Sequence, residues 1–582
     1  MNEFFKNLQS AFSTRNLSYP LFVLNLVNIV LGIFYITVQI SSLVWYVYGI
    51  LIFISLLGNF LLIFLTKKRV TKKSREGSRI NYLCYFYLVL LNISMLLILF
   101  GNLLISVSYS NDLTTNFAYY SMVYLGFFSI FGIGTLLSYL NIRNLDNRNL
   151  WKQNSEKSHN NDNKKSFIQK IVKIILGFLA LITLLFGSLL NYSLIFAPLD
   201  DYINWLAGMV FFSFYLFLFL IMLSATTILL IMINLDKNPY YFYPVAVIGI
   251  LISSSFLLPL LSTPYTSIQA ENDFSQAFGE TWRSKIPTST AQQYFQTTPF
   301  TITEYLLGNH PRECNIDIDI QYYSNVSEGI TLAYDAYYPK VNGSLLPGNN
   351  SVLINIHGGA WVAGDKGMYN MLQVNKYFAA QGYIVFDIQY GLKEGGTSVI
   401  PTPPDVVGDF SIDDQLRHIG NFTKQLNTSE FAKYNLNLDS VFITGNSAGG
   451  HLSLATALLI DNGSYTDLFG SHLNIKGIIP LYPGNPSESL IGGRDVFRNP
   501  EDYLITPDSP PCLMFQGTKD FCLLETEHIK EQYDLVGNDD CCIIWFPFQG
   551  HANDLYYSGH FNQYKLYYME RFLYLCTHDK IQ

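Results

Sequence analysis

Apolar residues fall into long unbroken runs over roughly the first 265 positions and into short, regularly spaced runs after that. A helix that crosses a bilayer needs about 20 apolar residues. Seven stretches qualify: Leu21–Ile40, Val44–Leu65, Ile80–Val107, Met122–Leu140, Ile174–Phe196, Trp205–Leu235 and Tyr243–Leu261. The very short turn between the first two leaves six or eight spans open. Buried core helices are the competing explanation, but these stretches are span-length and lie back to back. From Ser262 to Pro311 the pattern turns polar and irregular, as a linker does. Within it Phe274, Phe278 and Trp282 recur every fourth residue, so a helix would carry them on one face. Such a face lies in the membrane interface or packs on the following domain as part of a cap.

From about Cys314 onward β-prone runs alternate with helical patterns. Ile316–Tyr322 and Gly329–Tyr337 read as a strand pair. Further short apolar runs are Val352–Ile356, Tyr383–Ile388, Ser440–Thr444, Ile475–Leu481, Cys512–Gln516 and Cys542–Phe546, with helical patterns such as Asp413–Leu426 and Glu525–Leu535 between them. Strands that alternate with helices predict a mostly parallel sheet covered on both faces. The predicted organisation is a polytopic all-α membrane domain over 1–262, a juxtamembrane linker or cap over 263–311, and an α/β domain over 312–582.

Charge adds an orientation. Lys67, Lys68, Arg69, Lys72, Lys73, Arg75 and Arg79 crowd the loop after the second span, and Arg143, Arg148, Lys152, Lys157, Lys164, Lys165 and Lys170 the loop after the fourth. The loops Ser108–Tyr120 and Pro198–Asn204 hold no Lys or Arg and carry Asp112, Asp200 and Asp201. Lys and Arg mark cytoplasmic loops. Seven spans then put the N-terminus in the cytoplasm and everything after Leu261 outside it. Met1–Tyr19 is polar and does not match a cleaved signal peptide. No span interior holds Asp, Glu, Lys, Arg or His, which argues against a pump, an ion-coupled transporter or an intramembrane metalloenzyme. Asn25, Asn28, Asn59 and Asn102 read as interhelical hydrogen-bonding contacts. The membrane half reads as an anchor or scaffold, with a lipid groove between helices left open. No basic face or basic-aromatic platform suggests nucleic acid.

The chemistry centres on Gly445-Asn446-Ser447-Ala448-Gly449, a G-x-S-x-G sequence between the strand Ser440–Thr444 and an apolar stretch able to continue as a helix. This is the context of a nucleophile elbow, where a serine stands on a sharp turn with its hydroxyl held out of the sheet. Gly445 and Gly449 supply the small residues such a turn needs. Alone, the motif equally fits a glycine-rich turn with an incidental serine. A serine nucleophile also needs a base, a group that orients the base, and oxyanion donors. His551, in Phe548-Gln549-Gly550-His551-Ala552, follows the last strand. Asp520, in Phe515-Gln516-Gly517-Thr518-Lys519-Asp520, follows the preceding one, with Glu525 a rival acid nearby. The order Ser, Asp, His is that of the α/β-hydrolases.

Ile356-His357-Gly358-Gly359-Ala360-Trp361 stands at the end of Val352–Ile356. It resembles the HGG-type oxyanion motif of α/β-hydrolase-fold esterases, the hormone-sensitive-lipase-like and carboxylesterase-like group. Gly364-Asp365-Lys366 is similar to the continuation in feruloyl-esterase-like and prenylcysteine-methylesterase-like members. The resemblance covers roughly Cys314 to Tyr574 and not the membrane half. It implies an α/β-hydrolase fold, with Ser447, His551 and Asp520 as triad and the backbone N–H groups of Gly358, Gly359 and Ala448 as oxyanion donors. His357 would brace the oxyanion loop, and neither cofactor nor metal is implied. Asn446 stands where acidic residues often precede the serine, and Ala360 replaces the third glycine of the HGGG form.

Six of the seven cysteines (Cys314, Cys512, Cys522, Cys541, Cys542 and Cys576) lie after the last span, in a compartment that permits disulfides. A bridge from Cys522 to Cys541–Cys542 would stiffen the Asp520–His551 pair. Sequons at Asn325, Asn342, Asn349, Asn421, Asn427 and Asn462 fit a lumenal or extracellular glycoprotein domain. The expectation is a membrane-anchored serine hydrolase that acts on a small-molecule ester, with a hydrophobic or lipid-derived one favoured by the tether. The competing classes are a non-catalytic binding or adhesion protein on the same scaffold, and a membrane receptor or transporter with an accessory domain. Amidase, thioesterase and acyltransferase activities share the site. Oligomeric state stays open.

Overall fold

A computed structural model describes residues 14–38, 43–69, 75–110, 114–146, 162–196, 202–233, 238–310, 312–368, 371–396 and 400–581. The loop charges Lys72, Lys73, Asp112, Arg148, Lys152, Lys157, Asp200 and Asp201 lie outside these residues.

Six described helices are long and apolar enough to cross a membrane: α1 (Thr14–Thr37), α2 (Leu43–Arg69), α3 (Arg75–Ser106), α4 (Phe117–Asp146), α5 (Asp162–Phe196) and α6 (Tyr202–Ile233). The seventh predicted stretch, Tyr243–Leu261, is not one helix. α7 covers Pro239–Ser255, only 17 residues, and a separate turn of helix covers Leu258–Leu261. Pro259 accounts for the break, because it has no N–H for the Ser255 carbonyl and its ring collides with that group. The polar residues of the bundle pair across helices, as membrane packing favours. Asn25 and Asn59 exchange side-chain hydrogen bonds of 3.1 and 2.9 Å, and Asn28 donates to Ser55 at 2.6 Å. Gly134 lets α4 approach that pair: a Cβ there would stand 2.8 Å from Asn59 Nδ2. Asn102 differs from this pattern. It reaches out of the bundle to the Leu306 carbonyl (3.2 Å) and the Tyr556 hydroxyl (2.9 Å).

The segment expected to be irregular is helical. It contains α8 (Thr263–Phe278), short turns at Trp282–Lys285 and Thr288–Tyr294, and α9 (Ile302–Leu307). Its polar composition hides these helices because packing, rather than a continuous apolar run, stabilises them. Phe274 and Phe278 pack against Tyr568 and Phe572 at 5.3 and 5.1 Å, so the aromatic face covers the α/β domain. α9 instead braces the bundle. α6 kinks at Phe214 (φ −116°, ψ 17°). There the Tyr305 hydroxyl donates to the Ser213 carbonyl (3.1 Å) and accepts from the Leu216 N–H (3.4 Å), replacing bonds the kink disrupts.

The C-terminal half is an eight-stranded, mostly parallel sheet with helices on both faces. Its strands are β1 (Asn315–Asn325), β2 (Ile330–Tyr338), β3 (Ser351–Ile356), β4 (Ile384–Ile388), β5 (Asn437–Asn446), β6 (Ile475–Leu481), β7 (Cys512–Gly517) and β8 (Cys541–Phe546). Their order is β1-β2-β4-β3-β5-β6-β7-β8. Only β2 is antiparallel to its neighbours, and the rest pair in parallel. Side chains alternate between faces along a strand. Leu353, Val385 and Phe442 join α10 (Met371–Ala379) and, beyond it, the interior of the bundle of long apolar helices in one continuous apolar cluster. Val352, Ile354, Val441 and Ile443 join α11 (Ile412–Gln425) and α12 (Ala448–Asp461) in a second cluster. α13 (Leu523–Leu535) packs on that second face, and α14 (His560–Thr577), buried along its length, belongs to the first.

Candidate active site

The site is built where β5 turns into α12. Ser447 sits on that turn with φ 56° and ψ −121°, a left-handed conformation that costs a non-glycine residue energy. The flanking glycines leave no alternative: a Cβ at Gly445 would stand 2.2 Å from the Gly449 carbonyl oxygen, and one at Gly449 would stand 2.1 Å from that of Ile356. Two backbone bonds lock the turn to the end of β6, Ser447 N–H to Leu481 O (2.9 Å) and Gly484 N–H to Ser447 O (3.0 Å).

Two loops bring partners to the serine. The loop after β8 places His551 Nε2 2.8 Å from Ser447 Oγ. The loop after β7 places the Asp520 carboxylate 2.9 and 3.0 Å from His551 Nδ1. Asp520 is buried and also accepts the Cys522 N–H at 2.8 Å. A carboxylate at Nδ1 selects the tautomer with its proton there, which leaves Nε2 free to accept from the serine hydroxyl. Burial works against a charged His551, but the Asp520 carboxylate and Cys522 together outweigh it and raise the imidazole above its ordinary pKa. Phe521 and Tyr482 wall the ring at 4.3 and 4.9 Å.

The remaining histidines of this half lie elsewhere. His451 meets the Arg498 carbonyl, His472 the Thr423 carbonyl and His528 the Asp502 carboxylate, while His560 is buried beside Gln549. Glu525 is held by the Asn485 amide, so Asp520 alone of the two acids bonds His551. All seven cysteines are free thiols, and no bridge joins Cys522 to Cys541 or Cys542. Cys522 faces the Asp520–His551 pair, whereas Cys541 and Cys542 are held in register against Cys512 and Leu513 of β7. Burial pushes the Cys522 thiol up, which keeps it neutral.

The oxyanion loop departs from expectation at one donor. The Gly358 N–H is not free: it donates to Asn446 Oδ1 at 2.9 Å. Gly359 (φ 125°) and Ala448 have no such partner among the described residues, and Ala448 is the first residue of α12, whose N–H has no acceptor within the helix. Ala360 (φ 53°) and Trp361 (φ 63°) follow in left-handed conformations and curl the loop over the elbow. His357 is fully buried, contacts the Gly358 carbonyl through Nδ1 at 2.8 Å and stacks on Tyr390 at 4.5 Å. Lys366 pins the far end of the loop, bridging Asp319 (2.5 Å) and Asp335 (2.8 Å).

Sequence reasoning missed the fixing of this loop. Asn446 also donates to the Tyr482 hydroxyl (3.2 Å), which donates to Asp554 (2.7 Å). The chain runs from the oxyanion loop through the elbow to the start of α14. Asn446 was visible in the motif, but nothing local ties Tyr482 and Asp554 to it.

Comparison with known proteins gives matches to part of the chain. A model of the BD-FAE family, an α/β-hydrolase-type family, matches residues 334–485. The match takes in the oxyanion loop and the elbow, about a quarter of the chain, and stops short of Asp520 and His551. No curated protein matches the chain. Among solved structures, esterase B of Lactobacillus rhamnosis with a tributyrin phosphonate inhibitor is 23% identical at a TM-score of 0.36, covering 46% of this chain and 88% of that one. Thermogutta terrifontis esterase 2 phosphorylated by paraoxon is 18% identical at a TM-score of 0.34, covering 44% and 90%. A Pyrobaculum calidifontis esterase is 15% identical at a TM-score of 0.35, covering 47% and 87%.

Proposed function

We propose that this chain is a membrane-anchored serine hydrolase of carboxylic esters whose site lies on the non-cytoplasmic side. The observation that carries the chemistry is the linked pair of contacts Ser447 Oγ–His551 Nε2 and His551 Nδ1–Asp520 on a strained strand-to-helix turn. In this mechanism His551 takes the Ser447 proton as Oγ attacks the ester carbonyl, and returns it to the leaving alcohol. Asp520 holds the tautomer and stabilises the imidazolium. Gly359 and Ala448 donate to the oxyanion, and Gly358 instead anchors the loop through Asn446. Water then releases the acid from Ser447, with no cofactor required.

α3 supports the side of the membrane, because it carries both markers. Arg79 stands at its basic end, and about 40 Å away, at 1.5 Å per residue over 28 residues, its other end touches the soluble domain. There Gln373 donates to the Ile105 and Ser108 carbonyls (3.1 Å each), and Tyr109 donates to Asp335 (3.1 Å). A basic cytoplasmic end therefore favours a non-cytoplasmic hydrolase domain. Such a placement needs an odd number of crossings. α7 with its added turn supports a seventh: Phe242 lies against Phe64, three residues before Lys67, and Ile252 lies level with Gly187 and Met222. The exposed sequons at Asn342, Asn427 and Asn462 fit the same side.

A fluorophosphonate probe tests the chemistry. Ser447 in the full-length chain should label, and Ser447→Ala should not. Persistent labelling of the variant would refute the assignment.

A further inference from the structure

The apolar segments of the membrane helices have a definable outer level. α5 and α6 run antiparallel: a Cβ at Gly177 would meet Met232 (2.7 Å), and one at Gly187 would meet Met222 (2.6 Å). Ten residues forward on one helix match ten back on the other. Carried nine residues further, the end of α5 at Phe196 is level with Ser213 of α6. α6 kinks at the next residue, and its first turns stand above that level. The Phe212 ring, at the same height, lies 3.7 Å from where a Cβ on Gly550 would be. Gly550 precedes His551, so the loop that carries His551 meets α6 at the level where α5 ends.

Exposed apolar side chains occur on the neighbouring segments. Phe521 packs on His551, Phe548 stands three residues before His551, and Leu524, 75% exposed, is the second residue of α13. Leu261, Tyr265 and Ile268 (66, 60 and 65% exposed) follow i, i+4, i+7 spacing along the helical path that leaves the bilayer. A chain of contacts joins the two groups: Thr263 Oγ1 meets His560 Nε2, and His560 Nδ1 accepts from Gln549 Nε2, 3.0 Å each. Gln549 lies between Phe548 and Gly550. Apolar residues exposed singly are ordinary, but a contiguous group marks an interaction surface. This one continues directly from membrane helices, and a bilayer is what those helices sit in.

We propose that this belt seats in the outer interface of the bilayer and that Ser447 draws its substrate from the membrane, as the long-chain acyl ester of a bilayer lipid. The proposal rests on the serine hydrolase reading and deepens it. Ser447 Oγ bonds to the acyl carbon, the carbon–oxygen bond to the lipid alcohol breaks, and the alcohol leaves with the proton relayed by His551. Water deprotonated by His551 then adds to the acyl-enzyme. The fatty acid leaves, and Ser447 regains its proton.

The test uses the full-length chain in phosphatidylcholine vesicles and two esters with one leaving group, 4-methylumbelliferyl oleate in the bilayer and 4-methylumbelliferyl acetate in water. The Tyr265→Ser/Ile268→Ser/Leu524→Ser variant should lose oleate turnover about tenfold or more and keep acetate turnover within about twofold. Equal losses on both esters, or no loss on either, would overturn the proposal. A second measurement does not depend on activity. The emission that Leu524→Trp adds to that of the six native tryptophans should be quenched in vesicles of bromine-bearing lipid relative to plain vesicles, and added emission that is not quenched would overturn the belt. If wild type hydrolyses neither ester while the tryptophan is quenched, the hydrolase reading fails and the membrane contact stands.

Discussion

The two faces of the sheet are covered in different ways. The face under α11 and α12 closes on a core of its own, with Leu416, Ile419, Phe422, Leu452 and Leu458 packed on Val352, Ile354 and Val441. The face under α10 and α14 has no separate core: its cluster runs through Phe274, Phe278 and Tyr305 into Phe217, Leu88 and Leu56 of the long apolar helices. Polar groups follow the same division. The α11 and α12 face meets solvent with ordinary exposed ion pairs such as Arg494–Asp413 and Lys433–Asp317. The α10 and α14 face holds its seam with the 263–311 segment by buried contacts. Glu570 accepts from Gln296 N–H (2.8 Å), the Tyr377 hydroxyl (2.5 Å) and Gln381 Nε2 (3.1 Å), and pairs with Arg571. A domain hung on a tether would not need such a seam. The loops that carry Asp520 and His551 emerge where the two kinds of packing meet.

That contrast can be broken at several points. The largest effect lies in the loops themselves: Asp520→Asn should lower kcat by about 10⁴-fold by presenting the wrong His551 tautomer to Ser447, measured by ester turnover of the full-length chain. In the wild type, activity needs unprotonated His551. Because Asp520 raises that group, kcat/KM should rise with pH through a midpoint above 6.5, the ordinary value for histidine. The same sign makes the His551–Asp520 attraction a stabilising term at low pH that is lost as pH rises through the raised value. A midpoint at or below the ordinary one would show that burial wins over the carboxylate.

At the seam, Glu570→Ala strands several buried donors and a buried Arg571. It should cost about 3–5 kcal/mol, read as a lowered unfolding temperature of the full-length chain. Little change there would mean the junction is not a rigid weld. Asn446→Ala frees the Gly358 N–H and the oxyanion loop with it. A loss of about tenfold in kcat with little change in KM is expected, because the loop acts on the transition state rather than on binding. A KM effect alone would move Asn446 to the substrate pocket. The smallest effect belongs to the bundle. Asn59→Ala should cost only about 0.6 kcal/mol in detergent unfolding, because polar groups in an unfolded membrane chain find other partners.

Much of the site was legible because it is local. The elbow needs glycines at positions set by backbone crowding within a few residues, so Gly445 and Gly449 announce it. β3 is expected at Val352–Ile356 and occupies Ser351–Ile356, because a strand buried on both faces is mostly apolar, and its buried Asn355 is satisfied by Asn375 (3.0 Å). The break at Pro259 was legible too, from the carbonyl four residues earlier, but the continuous hydropathy of Tyr243–Leu261 masked it.

The sequence by itself determined the apolar helices, the alternation that makes the sheet, and the order of Ser447, Asp520 and His551, each of which rests on neighbours along the chain. Only the tertiary structure decided that Gly358 is spent on Asn446, 88 residues away, that the polar linker is helical, and that one sheet face shares its core with the long apolar helices. Those outcomes depend on which distant groups meet at hydrogen-bond or van der Waals distance, and no local pattern encodes that meeting.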